Sequence, residues 1–144
     1  MTRFAVADTA HALKPAPIEP SWIEAGSPMA RNCVLFHSSD KTAWTMLWDC
    51  SAGEIRWRYS FDETIHFLEG SVIITVEGSA PRRFGPGDVI FFPAGAVAQW
   101  KIDTYIRKLA FCQLPTPRPL RLPLRALRRL ARILGKTAAA LVAR

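Results

Sequence analysis

Few residues of this 144-residue chain have the types and spacing that chemistry needs. The three histidines, His11, His37 and His66, are scattered, and none forms an identifiable triad with a nearby Ser or Cys. The three cysteines, Cys33, Cys50 and Cys112, form no C-x-x-C pair. They read as free thiols, with Cys50 and Cys112 as small buried hydrophobes. What remains is a carboxylate, Glu63, just after an aromatic run in which Ile55, Trp57, Tyr59 and Phe61 share one face. Trp and Tyr faces attract cations and stack on sugars or heterocycles, and a carboxylate among such rings is a group that general acid–base chemistry uses.

The elements that must position these residues are strands. From Asn32 to Cys112 the chain is a series of short runs rich in Val, Ile, Phe, Trp and Tyr, separated by turn residues. About nine strands are expected on this pattern: 33–38, 43–49, 54–61, 63–69, 71–77, 81–84, 88–92, 96–101 and 104–112. Trp44, Met46 and Trp48 share one face, while Arg56, Arg58 and Ser60 lie opposite Trp57 and Tyr59. No helical stretch interrupts the strands, which excludes a parallel β-α-β architecture and favours an antiparallel sandwich or barrel. Leu68-Glu69-Gly70 and Gly85-Pro86-Gly87-Asp88 are its sharpest turns.

Three segments follow: an extended arm over 1–31 carrying Pro15, Pro17, Pro20 and Pro28, a β-domain over 32–112, and a tail over 113–144. In the tail, Pro115, Pro117, Pro119 and Pro123 make a stiff spacer, and a helix is expected from Pro123 to about Ala143. Leu124, Leu127, Ala131, Leu134, Ala138 and Leu141 form its apolar stripe, and Arg125, Arg129, Arg132 and Lys136 its basic one. Of the 19 Lys and Arg, 8 lie in the tail, which has no Asp or Glu. The other 11 face all 12 acids of residues 1–112, so the net charge of +7 divides into −1 and +8. The N-terminus, with an acid at Asp8 and no apolar run, does not read as a signal peptide, and nowhere do 18 apolar residues run together. The expectation is a cytoplasmic protein, soluble or membrane-peripheral.

Residues 53–102 resemble the two cupin signatures. In the second, Gly87, Pro93, Ala94 and Gly95 stand in the expected places, with Ala98 where a metal-binding cupin has histidine and Ile102 where it has asparagine. In the first, Glu63 to Gly70 matches the second half, and the paired-histidine positions fall on Trp57 and Tyr59, on Arg56 and Arg58, or on Tyr59 and Phe61, depending on register. Lys14-Pro15-Ala16-Pro17-Ile18, Trp48-Asp49-Cys50-Ser51-Ala52-Gly53, Asp62-Glu63-Thr64 and Val72-Ile73-Ile74 look like the branch containing ureidoglycine-aminohydrolase-like and ethanolamine-utilisation-Q-like domains. The resemblance implies an all-β double-stranded β-helix (jelly-roll) barrel, flanked here by the N-terminal arm and the basic amphipathic C-terminal helix. It also implies a homodimer and a ligand pocket at an open end of the barrel.

Metal-binding cupins offer three imidazoles and a carboxylate, and only the carboxylate is retained here, so neither a metal nor another cofactor is expected. If Glu63 keeps the family's inward place, alternation turns Thr64, His66 and Leu68 outward, and Trp57, Tyr59, Trp100 and the space left by Ala98 surround the carboxylate. A small cationic or polar ring compound would suit that lining. Core packing of the tryptophans is the competing reading, with Glu63 bonded to a turn or paired with Arg56, Arg58 or Arg107. Three functions follow: a sensor or accessory module binding a small polar metabolite, a metal-independent isomerase, lyase or hydrolase with Glu63 as catalytic acid or base, and a scaffold acting through its tail. For the tail, residues 118–136 suit packing against protein or an anionic membrane surface better than nucleic acid, since the basic stripe has no aromatic for base stacking.

Overall fold

Over 62–68, 97–102 and 105–113 buried and more open residues alternate with the period of a strand that buries one face. The computed structural model describes residues 4–142, the side chains of Arg118, Arg121 and 136–142 excepted. Its strands are β1 (Lys14–Pro15), β2 (Ile23–Gly26), β3 (Ala30–His37), β4 (Ala43–Arg58), β5 (Asp62–Gly70), β6 (Val72–Val76), β7 (Arg82–Phe84), β8 (Val89–Phe92) and β9 (Val97–Gln113). All their pairings are antiparallel. The architecture is the all-β jelly roll expected from the sequence.

Two long strands organise the barrel. β4 and β9 pair along their whole lengths, from Ala43 opposite Gln113 to Arg58 opposite Val97, with a bulge between Ser51 and Gly53. On one side of the bulge β3 joins β4, and β5 with β8 joins β9. On the other side β2 joins β4, and β6 with β7 joins β9. A bulge bends a strand and strengthens its twist, so the shared ladder can serve both halves of the barrel.

The expected strand boundaries therefore need correction. Residues 43–49 and 54–61 are parts of one strand, as are 96–101 and 104–112, because Cys50-Ser51-Ala52-Gly53 is bulged backbone inside a continuous ladder. The proline-rich arm contributes β1 on β3 and β2 on β4, with a 3-10 turn over Pro20–Trp22 between them. Ile18 from the arm is buried, and Trp22 packs against the core. Inward residues include Trp48, Ile55, Ile65, Phe67, Val72 and Trp100, each almost wholly removed from water.

The chain divides into two units, one ending at Leu114 and the other beginning at Pro115. The second is a helix, α1 (Arg118–Val142), which begins five residues before the expected Pro123. Pro119 fits its first turn, where a missing N–H costs nothing, and Pro123 lies inside, unable to donate to the Pro119 carbonyl. The side chains of Lys136, Ala138 and Leu141, and the expected end at Ala143, lie outside the described residues.

Candidate functional site

Three strands assemble a charged pair inside an aromatic box. On β5, Glu63, Ile65 and Phe67 are buried while Thr64, His66 and Leu68 are part-exposed, so Glu63 points inward. On β9, the buried positions are Ala98, Trp100 and Ile102 before the bulge and Ile106, Lys108, Ala110 and Cys112 after it. Lys108 stands opposite Trp48 of β4 and Phe67 of β5, and Glu63 stands opposite Cys112 of β9 and Phe92 of β8. The lysine and glutamate side chains together span the offset between these rows. Lys108 Nζ donates to Glu63 Oε1 at 2.6 Å, with both residues only 3% exposed.

The ammonium also faces three indoles. Nζ lies 4.9 Å from the ring centre of Trp48, 4.9 Å from that of Trp100 and 5.6 Å from that of Trp57. Moving a lone ammonium out of water costs several kcal/mol; an ion pair and cation–π contacts of roughly 0.5–2 kcal/mol each offset that cost together, and none does so alone. The tryptophans hold one another edge to face, Trp48 with Trp57 at 5.6 Å and Trp48 with Trp100 at 6.1 Å, and Trp22 from the arm closes on Trp57 at 5.4 Å. Tyr59 stacks on Phe92 with ring centres 4.3 Å apart.

Two polar atoms of the box are left over. The Tyr59 hydroxyl and Trp100 Nε1 are buried without a hydrogen-bond partner among the described residues. Burial, reinforced by the charge of Glu63, pushes the Tyr59 phenol well above its ordinary value, against the opposing influence of the nearby Trp100 N–H. The phenol therefore stays a neutral donor and acceptor. Ala98, opposite Trp57 and Val76, is buried too. Glu63, Trp57, Tyr59, Trp100 and Ala98 thus all face the barrel interior.

A second polar cluster lies beside the arm. Asp49, 1% exposed, accepts from Arg31 Nε at 3.0 Å and Nη2 at 2.5 Å and from the Tyr105 hydroxyl at 2.9 Å, with Arg107 Nη1 at 3.8 Å. Arg107 Nη2 also donates to the carbonyl of Thr9, pinning the arm. A groove of about 560 Å³ runs past this cluster, lined mostly by Pro15, Pro17, Ile18, Ile23, Pro28 and Met29. None of the five interior residues lines it.

Residues 37–110, just over half of the chain, match the model of the EutQ-like cupin domain. The chain belongs to this family. A DUF861-family protein of unknown function from Pseudomonas syringae superposes with a TM-score of 0.68 at 26% identity, over 74% of this chain and 46% of the other. This EutQ-like cupin thus spans about half the length of that relative. The Clostridium difficile EutQ protein (TM-score 0.53, 19% identity, 61% of this chain and 70% of that one) has the same fold. So does a putative ethanolamine utilization protein Q from Salmonella typhimurium (0.53, 21%, 61% and 72%). No curated protein matches the sequence.

The interior of this EutQ-like cupin does not fit a divalent metal ion. Its one carboxylate is ion-paired with an ammonium, and the other candidate ligand positions hold indole, phenol and methyl groups, with no imidazole. No cluster of three or more His, Cys, Asp or Glu occurs among the described residues. His66 is part-exposed on the outward side of β5.

Sequence reasoning named Glu63 and its rings but missed Lys108, offering Arg56, Arg58 or Arg107 as partners instead. Arg56 and Arg58 are exposed, and Arg107 serves Asp49. The missed signal was parity: Lys108 falls in phase with Ile106, Ala110 and Cys112, a lysine among inward apolar residues. The indoles, expected to face a cationic or polar ring compound, face the chain's own ammonium.

Proposed function

We propose that this EutQ-like cupin is a metal-free binding module, a sensor or accessory domain, that takes a small polar metabolite at the Glu63–Lys108 pair. The observation that supports it is the unsatisfied Tyr59 hydroxyl and Trp100 N–H in the same box. A buried polar group without a partner costs about 1–3 kcal/mol, so two of them favour an oxygen that accepts from both. The salt bridge is neutral as a pair, so a carbonyl or hydroxyl oxygen suits the box better than another charge. Binding ranks above catalysis because Glu63 is already ion-paired and is not free to act as a base.

Native mass spectrometry of the purified protein tests the reading. The expected spectrum shows a small molecule retained by wild type and lost from Tyr59→Phe, which deletes the hydroxyl while keeping the ring on Phe92. Turnover that collapses by about 10² or more in Glu63→Gln while binding survives would instead establish the acid–base enzyme. Identical, ligand-free spectra from wild type and Tyr59→Phe, with no stabilisation by any of a panel of small hydroxy and keto compounds, would overturn the proposal.

A further inference from the structure

We propose that α1 is an interfacial helix that lies on an anionic lipid bilayer. Its two faces have opposite requirements. At 100° per residue, Arg125, Arg128, Arg129 and Arg132 fall within an arc of roughly 100°, and Leu120, Leu124, Leu127, Leu130 and Ala131 fall on the other side. The leucines are open to solvent: Leu127 is 61% exposed, Leu130 55% and Leu120 50%. Solitary exposed leucines are ordinary, but a contiguous row along one helix face marks a surface that meets something apolar.

Charge selects the occupant. The tail holds 8 Lys and Arg and no Asp or Glu. Pairing with the same helix of a second copy would bring two such segments together, with no acid on either to compensate. Residues 1–114 have 11 basic and 12 acidic residues, a balance that offers little excess negative charge to a tail of +8. A nucleic acid would engage the arginines but leave the leucines in water, and α1 has no aromatic to stack on bases. An anionic bilayer meets both demands: the leucines enter the boundary between headgroups and acyl chains, while the arginine stems run upward and their guanidinium groups bind lipid phosphates. The helix lies flat, because no helix among the described residues is long and apolar enough to cross a membrane. Over its 25 residues it runs roughly 37 Å along the surface.

Co-sedimentation of the full chain with vesicles tests this. Vesicles of phosphatidylcholine with about 30% phosphatidylglycerol should pellet the protein at least about tenfold better than phosphatidylcholine alone, and about 0.5 M salt should reverse much of the difference. Far-UV circular dichroism should show the α1 helix melting at a higher temperature on the anionic vesicles, since lipid phosphate relieves the repulsion among Arg125, Arg128, Arg129 and Arg132. The joint variant Leu127→Ser, Leu130→Ser keeps every charge and alters no core residue of the barrel, and it should lose most of the pelleting with an unchanged barrel melting temperature. Failure of the wild type to pellet with anionic vesicles would overturn the proposal. So would a serine variant that pellets as well as wild type, or one that holds a short DNA duplex as tightly as wild type does while neither binds vesicles; those results would reduce the helix to a general polycation.

Discussion

Lys108 and Glu63 are each tolerable in the barrel only because the other is there. Removing one partner leaves the other charge buried and alone, so Lys108→Met and Glu63→Gln should each lower stability by about 3–5 kcal/mol in urea titrations. The double variant should recover a large part of the sum, because a methionine stem and a neutral amide keep the volume without the charge. Additive losses would show that packing, not the ion pair, sets the cost. Glu63 was legible in the sequence through the cupin signature, which fixes its inward place. Lys108 was not, because a lysine between Arg107 and Leu109 reads as surface until the strand's phase is known. The thiols make a second residue-scale prediction. Burial pushes both Cys50 and Cys112 up to about 12 from an ordinary 9.0, aided by Asp49 for the first and Glu63 for the second, against Lys108. Below pH 9 folded and unfolded chains both hold these protons; between 9 and 12 the unfolded chain releases them first, so stability is lost as pH rises through that window. Midpoints of urea unfolding should therefore hold steady from pH 7 to 8.5 and fall above about 9.5. A small alkylating reagent at pH 8 should reach the part-exposed Cys33 well before the buried pair. Equal labelling of all three thiols in native buffer would contradict that burial.

At the scale of elements, the β4–β9 ladder and the turn after β5 hold the site's strands in register. Gly70 ends β5 with φ +74°, and a Cβ there would stand 2.0 Å from the carbonyl oxygen of Tyr105 on β9. Gly78, with nearly the same φ of +78°, would meet nothing within 4 Å. Gly78→Ala should therefore cost only the left-handed backbone, about 1–2 kcal/mol, whereas Gly70→Ala must also push β5 away from β9 and should cost clearly more. Thermal unfolding of the two variants separates the terms: equal losses would mean that backbone conformation alone decides, and that β5 has room to move. The strand pattern, its antiparallel sense and the inward face of β5 were all legible from alternation. The continuity of β4 and β9 was not, since Cys50-Ser51-Ala52-Gly53 has a turn's composition and pairing with Ile102, Tyr105 and Ile106 keeps it in the ladder. The arm's strands β1 and β2 were hidden for a related reason. Pro15 of β1 suits an edge strand, where a missing donor does no harm, and at two and four residues the strands leave too few alternating residues to read.

At the scale of the molecule, charge and hydrophobic burial divide at the same place. The core cluster runs from Ile18 to Ile106, whereas Leu120, Leu122, Leu127 and Leu130 of α1 are exposed. The barrel therefore carries its own core within the first 114 residues, and about 25 cal/mol per Å² of apolar burial on folding is collected there. Deleting 115–144 removes 8 positive charges and no negative ones, taking the net charge from +7 to −1. The shortened chain should leave the cation exchanger that retains the full chain. Its urea midpoint should nonetheless stay within the error of the full chain's, since neither the Glu63–Lys108 pair nor the aromatic box uses a residue beyond Cys112. A large drop in midpoint would mean that the leucines of α1 cover the barrel in solution, and would argue against a helix kept free for a membrane. An unchanged midpoint, with any small-molecule binding retained, would show that recognition inside the barrel and attachment through the helix are separable properties of one chain.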